Sequence, residues 1–322
     1  MSNSTLSVRV ARRRVEADDI VSFELVGADG GELPAFDAGA HIDVHVPGGL
    51  VRQYSLNNPP WERKRYQIAV LRDPASRGGS QGMHDALPEG AVVQISEPRN
   101  HFPLAQGKAR HLLIAGGIGL TPLLCMAEHL ARLGESFEMH YCARTRSRAA
   151  FVDYIAASAW AGRARFHFDD ENPGQRLDLA ALVGRPQADL HLYTCGPQGF
   201  MDAVLGQARS SGWQDEHLHF EYFGVAAPVV SESDPVFEVE VARSGLVVTV
   251  PPGQTIVQAL YKAGVDVMVS CEQGICGTCM TRVISGEPDH RDLYMTPEEH
   301  ARNDQILPCC SRSRSNRLVL DL

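Results

Sequence analysis

The amino-acid sequence predicts a multidomain protein of mixed α/β and β class. It reads as an antiparallel β-barrel, then a five-stranded parallel α/β domain, then a small C-terminal β module. Three observations carry this. The apolar pattern changes near residue 108, from short period-two runs to strand runs separated by segments of helix length. A stretch of small, proline and acidic residues at 225–235, VAAPVVSESDP, has no periodicity. Five of the eight cysteines crowd into residues 271–310. At 322 residues the chain also exceeds the roughly 250 to 300 at which single cores stop growing.

The barrel is expected over 1–107. The segment MSNSTLSVRVARRRVEADD opens a strand, and period-two runs follow at 21–25, 41–46, 51–56, 66–70 and 92–95, with Gly, Pro and Asp between them. Over 108–224, strands at 112–115, 137–142, 165–168, 190–194 and 218–223 alternate with helix-length segments, the grammar of a parallel sheet. Residues 225–235 read as a linker. The module at 236–322 opens with a hairpin, 237–241 and 246–250 around Arg243-Ser-Gly, continues with a helix at 255–263 and closes with a strand at 317–320.

Bulk properties exclude some functions. With 30 Lys+Arg against 39 Asp+Glu the formal charge is -9, which disfavours nucleic acid and anionic membrane as partners. The module from 232 onward holds 13 acids against 8 bases, so a partner with a basic face suits it. The N-terminus has arginines but no apolar core after them, so it does not read as a secretory signal. The apolar stretch 112–127 contains Gly116, Gly117, Gly119 and Pro122 and is poorly built to span a bilayer. A cytoplasmic monomer is expected, and its clustered thiols point to metal rather than to disulfides.

The most specific motif is Cys271-x4-Cys276-x2-Cys279, followed by Cys309 after 29 intervening residues. This spacing wraps four thiolates around a [2Fe-2S] cluster. Gly274 and Gly277 let backbone amides approach sulfur without a side chain in the way. The competing reading, a structural zinc site, favours paired C-x2-C or Cys/His knuckles, which this run is not. Cys310 is expected to point away from Cys309 along an extended backbone as a buried non-ligand. Cys125 and Cys142 read as core residues.

Two further motif sets carry phosphate-binding chemistry. In Arg52-Gln-Tyr54-Ser55-Leu56, strand alternation sends a guanidinium and an aromatic ring to one face; alone, this is merely a strand with a snorkelling arginine. Arg77-Gly78-Gly79-Ser80 is a glycine turn feeding a short helix, whose free amides suit phosphate. In Leu112-Leu-Ile-Ala-Gly116-Gly117-Ile-Gly119-Leu-Thr121-Pro122, a strand runs through a glycine turn into a helix start. Thr194-Cys195-Gly196-Pro197 follows the fourth strand, where parallel sheets bind ligands. Cys195 has a competing reading as a packing thiol, and Phe223 as a linker anchor. Arg144 ends the second strand and is a candidate ribose contact; Arg146 and Arg148 read as solvated.

In order and content, these motifs resemble the phthalate dioxygenase reductase family, which includes the vanillate demethylase and related Rieske oxygenase reductases. The resemblance spans residues 8–322. It implies a C-terminal β-grasp ferredoxin domain, with Cys271, Cys276, Cys279 and Cys309 as iron ligands. It implies FMN held by Arg52, Tyr54, Ser55, Leu56, Arg77, Gly78, Gly79 and Ser80, with FAD as the alternative flavin. It implies NADH held by Gly117, Gly119, Thr121, Pro122, Arg144, Cys195, Gly196 and Pro197. Glu221-Tyr-Phe223-Gly224 resembles the family's Glu-x-Phe-Gly, whose phenylalanine covers a flavin face. Cys195, Phe223 and Ser55 are the residues expected beside the reacting atoms. Because hydride carries two electrons and an iron-sulfur cluster accepts one, a flavin is the necessary converter. The implied path is NADH to FMN to [2Fe-2S] to a terminal Rieske-type oxygenase. The acidic run Asp169-Asp170-Glu171 is expected to favour NADH over NADPH. The thirteen histidines read as surface or core residues. The competing readings are an FAD reductase of another monooxygenase and a non-enzymatic iron-sulfur redox sensor.

Overall fold

The computed structural model describes residues 5–74, 78–107, 109–170, 176–223 and 230–322. The chain forms two compact units, Met1–Phe223 and Gly224–Leu322. No helix among the described residues is long and apolar enough to cross a membrane.

The first unit begins with a six-stranded antiparallel sheet. Its strands are β1 (Thr5–Ala17), β2 (Ile20–Gly27), β3 (His41–Val46), β4 (Leu50–Ser55), β5 (Tyr66–Leu71) and β6 (Val92–Ser96), in the order β4-β3-β6-β1-β2-β5. Period-two alternation buries Val8 and Val10 of β1, Ile42 and Val44 of β3, and Tyr66, Ile68 and Val70 of β5. β3 turns into β4 through Gly48 and Gly49, both at left-handed φ, a conformation that glycine adopts without steric cost. The helix α1 (Gly79–Ala86) lies between β5 and β6.

A parallel sheet follows, with β7 (Arg110–Gly116), β8 (Ser136–Ala143), β9 (Ala164–Phe168), β10 (Leu190–Gly196) and β11 (Leu218–Tyr222). Its order is β11-β10-β7-β8-β9. The helices α2 (Leu120–Leu133), α3 (Val152–Ala157), α4 (Leu179–Val183) and α5 (Gln198–Ser210) connect these strands. Residues 112–115 of β7 are buried on both faces, as their unbroken apolar run requires. Strand order reverses between β7 and β10, which makes their carboxyl ends the topological switch point. The last strand stops at Tyr222, one residue short of the expected 218–223, so Phe223 lies outside it.

The two sheets of this unit pack into one hydrophobic core that includes α2. Polar contacts join them as well: the Asp18 amide donates to the Ser147 carbonyl at 2.8 Å, and the Ala105 amide donates to the Tyr193 hydroxyl at 2.7 Å.

The second unit contains β12 (Phe237–Val241), β13 (Leu246–Val250), α6 (Ile256–Lys262), β14 (Thr281–Ser285), β15 (Pro288–Asp289), α7 (Pro297–Arg302), β16 (Gln305–Ile306), β17 (Arg312–Ser313) and β18 (Arg317–Leu320). The sheet order β13-β12-β18-β14-β16, with β12 and β18 parallel and a helix across one face, is a β-grasp. A capping box between Thr255 and Gln258 starts α6, which buries Ile256, Ala259 and Leu260 against Val239, Val250 and Leu318. Residues 225–229 of the expected linker lie outside the described residues.

Gly39 gives the first unit a sharp test. It sits at φ +95, and a Cβ there would fall 2.0 Å from the Phe102 carbonyl oxygen and 3.0 Å from Met126 Cε on α2. Gly39→Ala should cost about 2–4 kcal/mol, measured as a lower urea midpoint by circular dichroism. An unchanged midpoint would contradict the packing described.

Candidate functional site

Cys271, Cys276 and Cys279 come from the loop between α6 and β14, and Cys309 from the turn after β16. The Cys271 and Cys276 thiols meet, as do those of Cys279 and Cys309, and Cys271 also touches Cys309. Two joined thiol pairs are what a two-iron centre requires. The neighbouring thiol first, and burial second, push Cys276 and Cys279 far above the ordinary thiol range. Four thiols this close ionise together only when cations share the charge, so metal binding here releases protons. The Gln273 amide donates to Cys271 Sγ at 3.3 Å.

The loop's glycines have a packing reason in addition to the expected one. A Cβ at Gly274 would lie 2.6 Å from Cys310 Sγ, and one at Gly277 would lie 2.3 Å from the Tyr294 ring; both residues have positive φ. Cys309 and Cys310 are in a turn, not in an extended strand as expected: the Cys310 and Ser311 amides both donate to the Leu307 carbonyl. That turn, with Pro308 at its start, sends Cys310 Sγ to within 3.5 Å of the Leu307 oxygen, behind Gly274.

The second group of predicted residues lies on β4 and α1. Arg52 crosses Gly79 so closely that a Cβ there would be 2.5 Å from its Nε. Tyr54 is its neighbour on the same face: burial raises the phenol, and the Arg52 guanidinium opposes the rise. Gly78 takes φ +91 to start α1, and Ser80 Oγ accepts from the Asp73 amide at 3.1 Å. This is a glycine cradle beside a guanidinium, as a phosphate ester requires. The Leu56 side chain is fully buried in the core. Arg77 lies outside the described residues.

The third group surrounds the switch point. Gly119 passes the end of β10 so tightly that a Cβ would sit 2.2 Å from the Cys195 carbonyl oxygen. A Cβ on Gly196 would sit 3.1 Å from Gly116 Cα. The two glycine turns therefore lie against each other, and only residues without side chains fit. Gly117 takes φ +54 between them. Thr121 and Pro122 are buried in the first turn of α2, and Pro197 caps α5. Arg144, exposed past β8, has a carbonyl that accepts from the Asp170 amide at 3.2 Å, so Asp169 and Asp170 stand beside it. Glu171 lies outside the described residues. Arg146 and Arg148, read as solvated, are ion-paired at 3.5 Å with Asp153 and Asp19. Phe223, 41% exposed, follows the end of β11.

Two residues that sequence reasoning missed join the groups. Glu221 pairs with Cys195 in the β10–β11 register and accepts from the Ser55 hydroxyl at 3.1 Å. Burial lifts its carboxyl to about 7, against the Ser55 hydrogen bond. Burial, then Glu221, raises the enclosed Cys195 thiol well above its ordinary value. His41 stands opposite Ser55 in the β3–β4 register, with Nδ1 3.9 Å from Glu221 Oε1. Burial first, then His101 and Arg99, pull it down to about 3, so it is neutral. In the sequence Glu221 stands only as the first residue of the Glu-x-Phe-Gly match, with no role, and His41 only within the strand run 41–46.

Comparison with known proteins agrees with this arrangement. Residues 239–314 match the family described as 2Fe-2S iron-sulfur cluster binding domain. The chain is 56% identical to the vanillate O-demethylase oxidoreductase of Pseudomonas sp. (strain HR199 / DSM 7063) over 317 residues, 98% of this chain and all of that one. The solved structure of phthalate dioxygenase reductase, described as modular for electron transfer from pyridine nucleotides to [2Fe-2S], matches with TM-score 0.75 and 40% identity over 99% of this chain and 98% of that one. An intact type IV self-sufficient cytochrome P450 monooxygenase matches with TM-score 0.88 and 38% identity; the match covers 99% of this chain but only 41% of that protein. The chain belongs to the phthalate dioxygenase reductase family, together with the vanillate O-demethylase oxidoreductases.

Proposed function

We propose that this chain is the reductase component of an oxygenase system, carrying electrons from NADH through FMN and its own [2Fe-2S] cluster to a terminal oxygenase of Rieske type. The observation that carries the reading is that one chain joins a four-thiol site to a switch point where Ser55, Cys195 and Glu221 converge. The flavin, when bound, accepts hydride and passes on electrons singly.

The proposed domains are a flavin barrel at 1–107, a nucleotide domain at 108–224, a linker at 225–235 and a ferredoxin module at 236–322. Arg52, Gly78, Gly79 and Ser80 hold the flavin phosphate, and Tyr54 lines the flavin plane. Gly117, Gly119, Thr121, Pro122, Gly196 and Pro197 form the dinucleotide cradle. Arg144 contacts the ribose, and Asp169 and Asp170 beside it repel a 2′-phosphate, giving the preference for NADH. Ser55, its hydroxyl donated to Glu221, stands at the reacting edge, Cys195 packs behind it, and Phe223 covers one face of the flavin. Cys271, Cys276, Cys279 and Cys309 are the iron ligands. The protein works as a cytoplasmic monomer.

The Glu221 carboxyl makes a pH-dependent contribution whose sign is fixed. Its value in the fold, about 7, lies above the 4.5 of a solvent-exposed glutamate, so its contribution to stability is present below the unfolded value and is lost as pH rises through 7. Glu221→Gln should therefore gain on the native protein between those limits, by roughly 3 kcal/mol at most, read from urea melts at pH 5 and pH 8. Equal differences at both pH values would contradict a buried, raised carboxyl.

The function itself is tested by Cys276→Ser in the full chain. NADH:ferricyanide turnover should survive, because a small oxidant collects electrons from the flavin, while NADH:oxygenase turnover should vanish. Retained oxygenase turnover without the cluster would overturn the path.

A further inference from the structure

Behind the cysteine loop lies a charged group that the proposed electron path does not yet use. Arg312 is 1% exposed, the largest fully buried side chain among the described residues. It follows Cys309 by three residues, so their Cα atoms are at most about 11 Å apart. Its Nη2 donates to the Pro235 carbonyl at 2.9 Å and the Pro251 carbonyl at 3.3 Å, and its Nη1 donates to the Gln254 carbonyl. Its Nε lies 3.5 Å from Asp234 Oδ2, and the guanidinium stands 5.0 Å over the Phe237 ring.

Asp234 holds a second guanidinium. Arg291 Nη1 and Nη2 donate to its two oxygens at 3.0 and 2.8 Å, a bidentate pair. Arg291 Nε donates to Asp289 at 2.8 Å, and Arg314 stands 3.6 Å from that same carboxylate at the surface. The Arg291 amide donates to Ser311 Oγ at 3.2 Å, which ties it to the segment carrying Cys309. The next residues back the cysteine loop directly: Asp292 Cα is 3.1 Å from where a Gly274 Cβ would lie, and the Leu293 amide donates to the Gly274 carbonyl at 3.0 Å. The Asp234 side chain is 11% exposed and that of Arg291 25%, so solvent screens the group poorly.

We propose that the ion triad Asp234–Arg291–Arg312 sets the reduction potential of the cluster held by Cys271, Cys276, Cys279 and Cys309. This rests on those four residues holding a [2Fe-2S] cluster. Reduction adds one negative charge to the cluster, so buried cations nearby favour the reduced state and a buried anion opposes it. Stability alone is a poor reason for the group, because buried ion pairs are often no more stabilising than apolar residues of the same volume. The three residues are positioning and tuning residues: they act through the field at the cluster and do not ligate it.

The test is a potentiometric titration of the full-length holoprotein, with the cluster followed by its EPR signal and iron content measured alongside. Asp234→Asn should move the potential upward and Arg291→Gln should move it downward. The double variant should return toward the wild-type value. Arg312→Lys, which keeps the charge but breaks the fork, should stay near wild type. Loosening of the fold would move both single variants in the same direction, so shifts of the same sign, or none, at full iron content would overturn the proposal. Loss of the cluster from the isosteric Asp234→Asn would also overturn it, by making the triad a fold element. A wild-type protein without any iron-sulfur signal would instead refute the ligand assignment.

Discussion

The approach of Gly119 to the Cys195 carbonyl fixes where the first site stands. At that separation no side chain fits between the start of α2 and the end of β10, so the two glycine turns are locked together. Cys195 is held at a sheet terminus, and its register partner Glu221 is brought against Ser55 from the barrel. The same helix α2 packs Met126 against Gly39, which secures the barrel to the sheet that carries the turns. The proposed hydride-transfer site, shared by two sheets, needs this rigidity, because such a transfer tolerates little misplacement of the reacting atoms.

The second unit answers to charge as well as to packing. Four thiols pressed together are costly as anions without a metal, and the backbone around them is arranged to offset negative charge. The Gln273 amide points at sulfur, and the segment that hydrogen-bonds the loop at Gly274 carries Arg291, paired with Asp234 and Asp289. The small β-grasp core beneath supplies a stable platform for this polar construction.

Much of this was legible in the sequence for physical reasons. Strands buried on both faces leave unbroken apolar runs, and thiolates that share two irons need fixed spacings, so 112–115 and the Cys271–Cys279 run announce themselves. The rest depends on contacts that local pattern does not encode. Ser55 and Glu221 lie 166 residues apart in sequence. The helix α7 has no buried residue and hence no apolar stripe, although Thr296, Pro297 and Glu299 spell its capping box. The strands β15, β16 and β17 have two residues each, too few to show alternation, and this hid the turn that holds Cys309 and Cys310. A buried arginine such as Arg312 looks in sequence like any surface cation.

The central claim is that electrons pass in series from nicotinamide to flavin to cluster within one chain. The most direct measurement is anaerobic rapid mixing of the holoprotein with NADH, with flavin absorbance and the cluster EPR signal followed on the same samples, beside protein stripped of flavin. The flavin should bleach first and the cluster signal should follow, with no cluster reduction in the stripped protein. Cluster reduction by NADH in the absence of flavin would contradict the account.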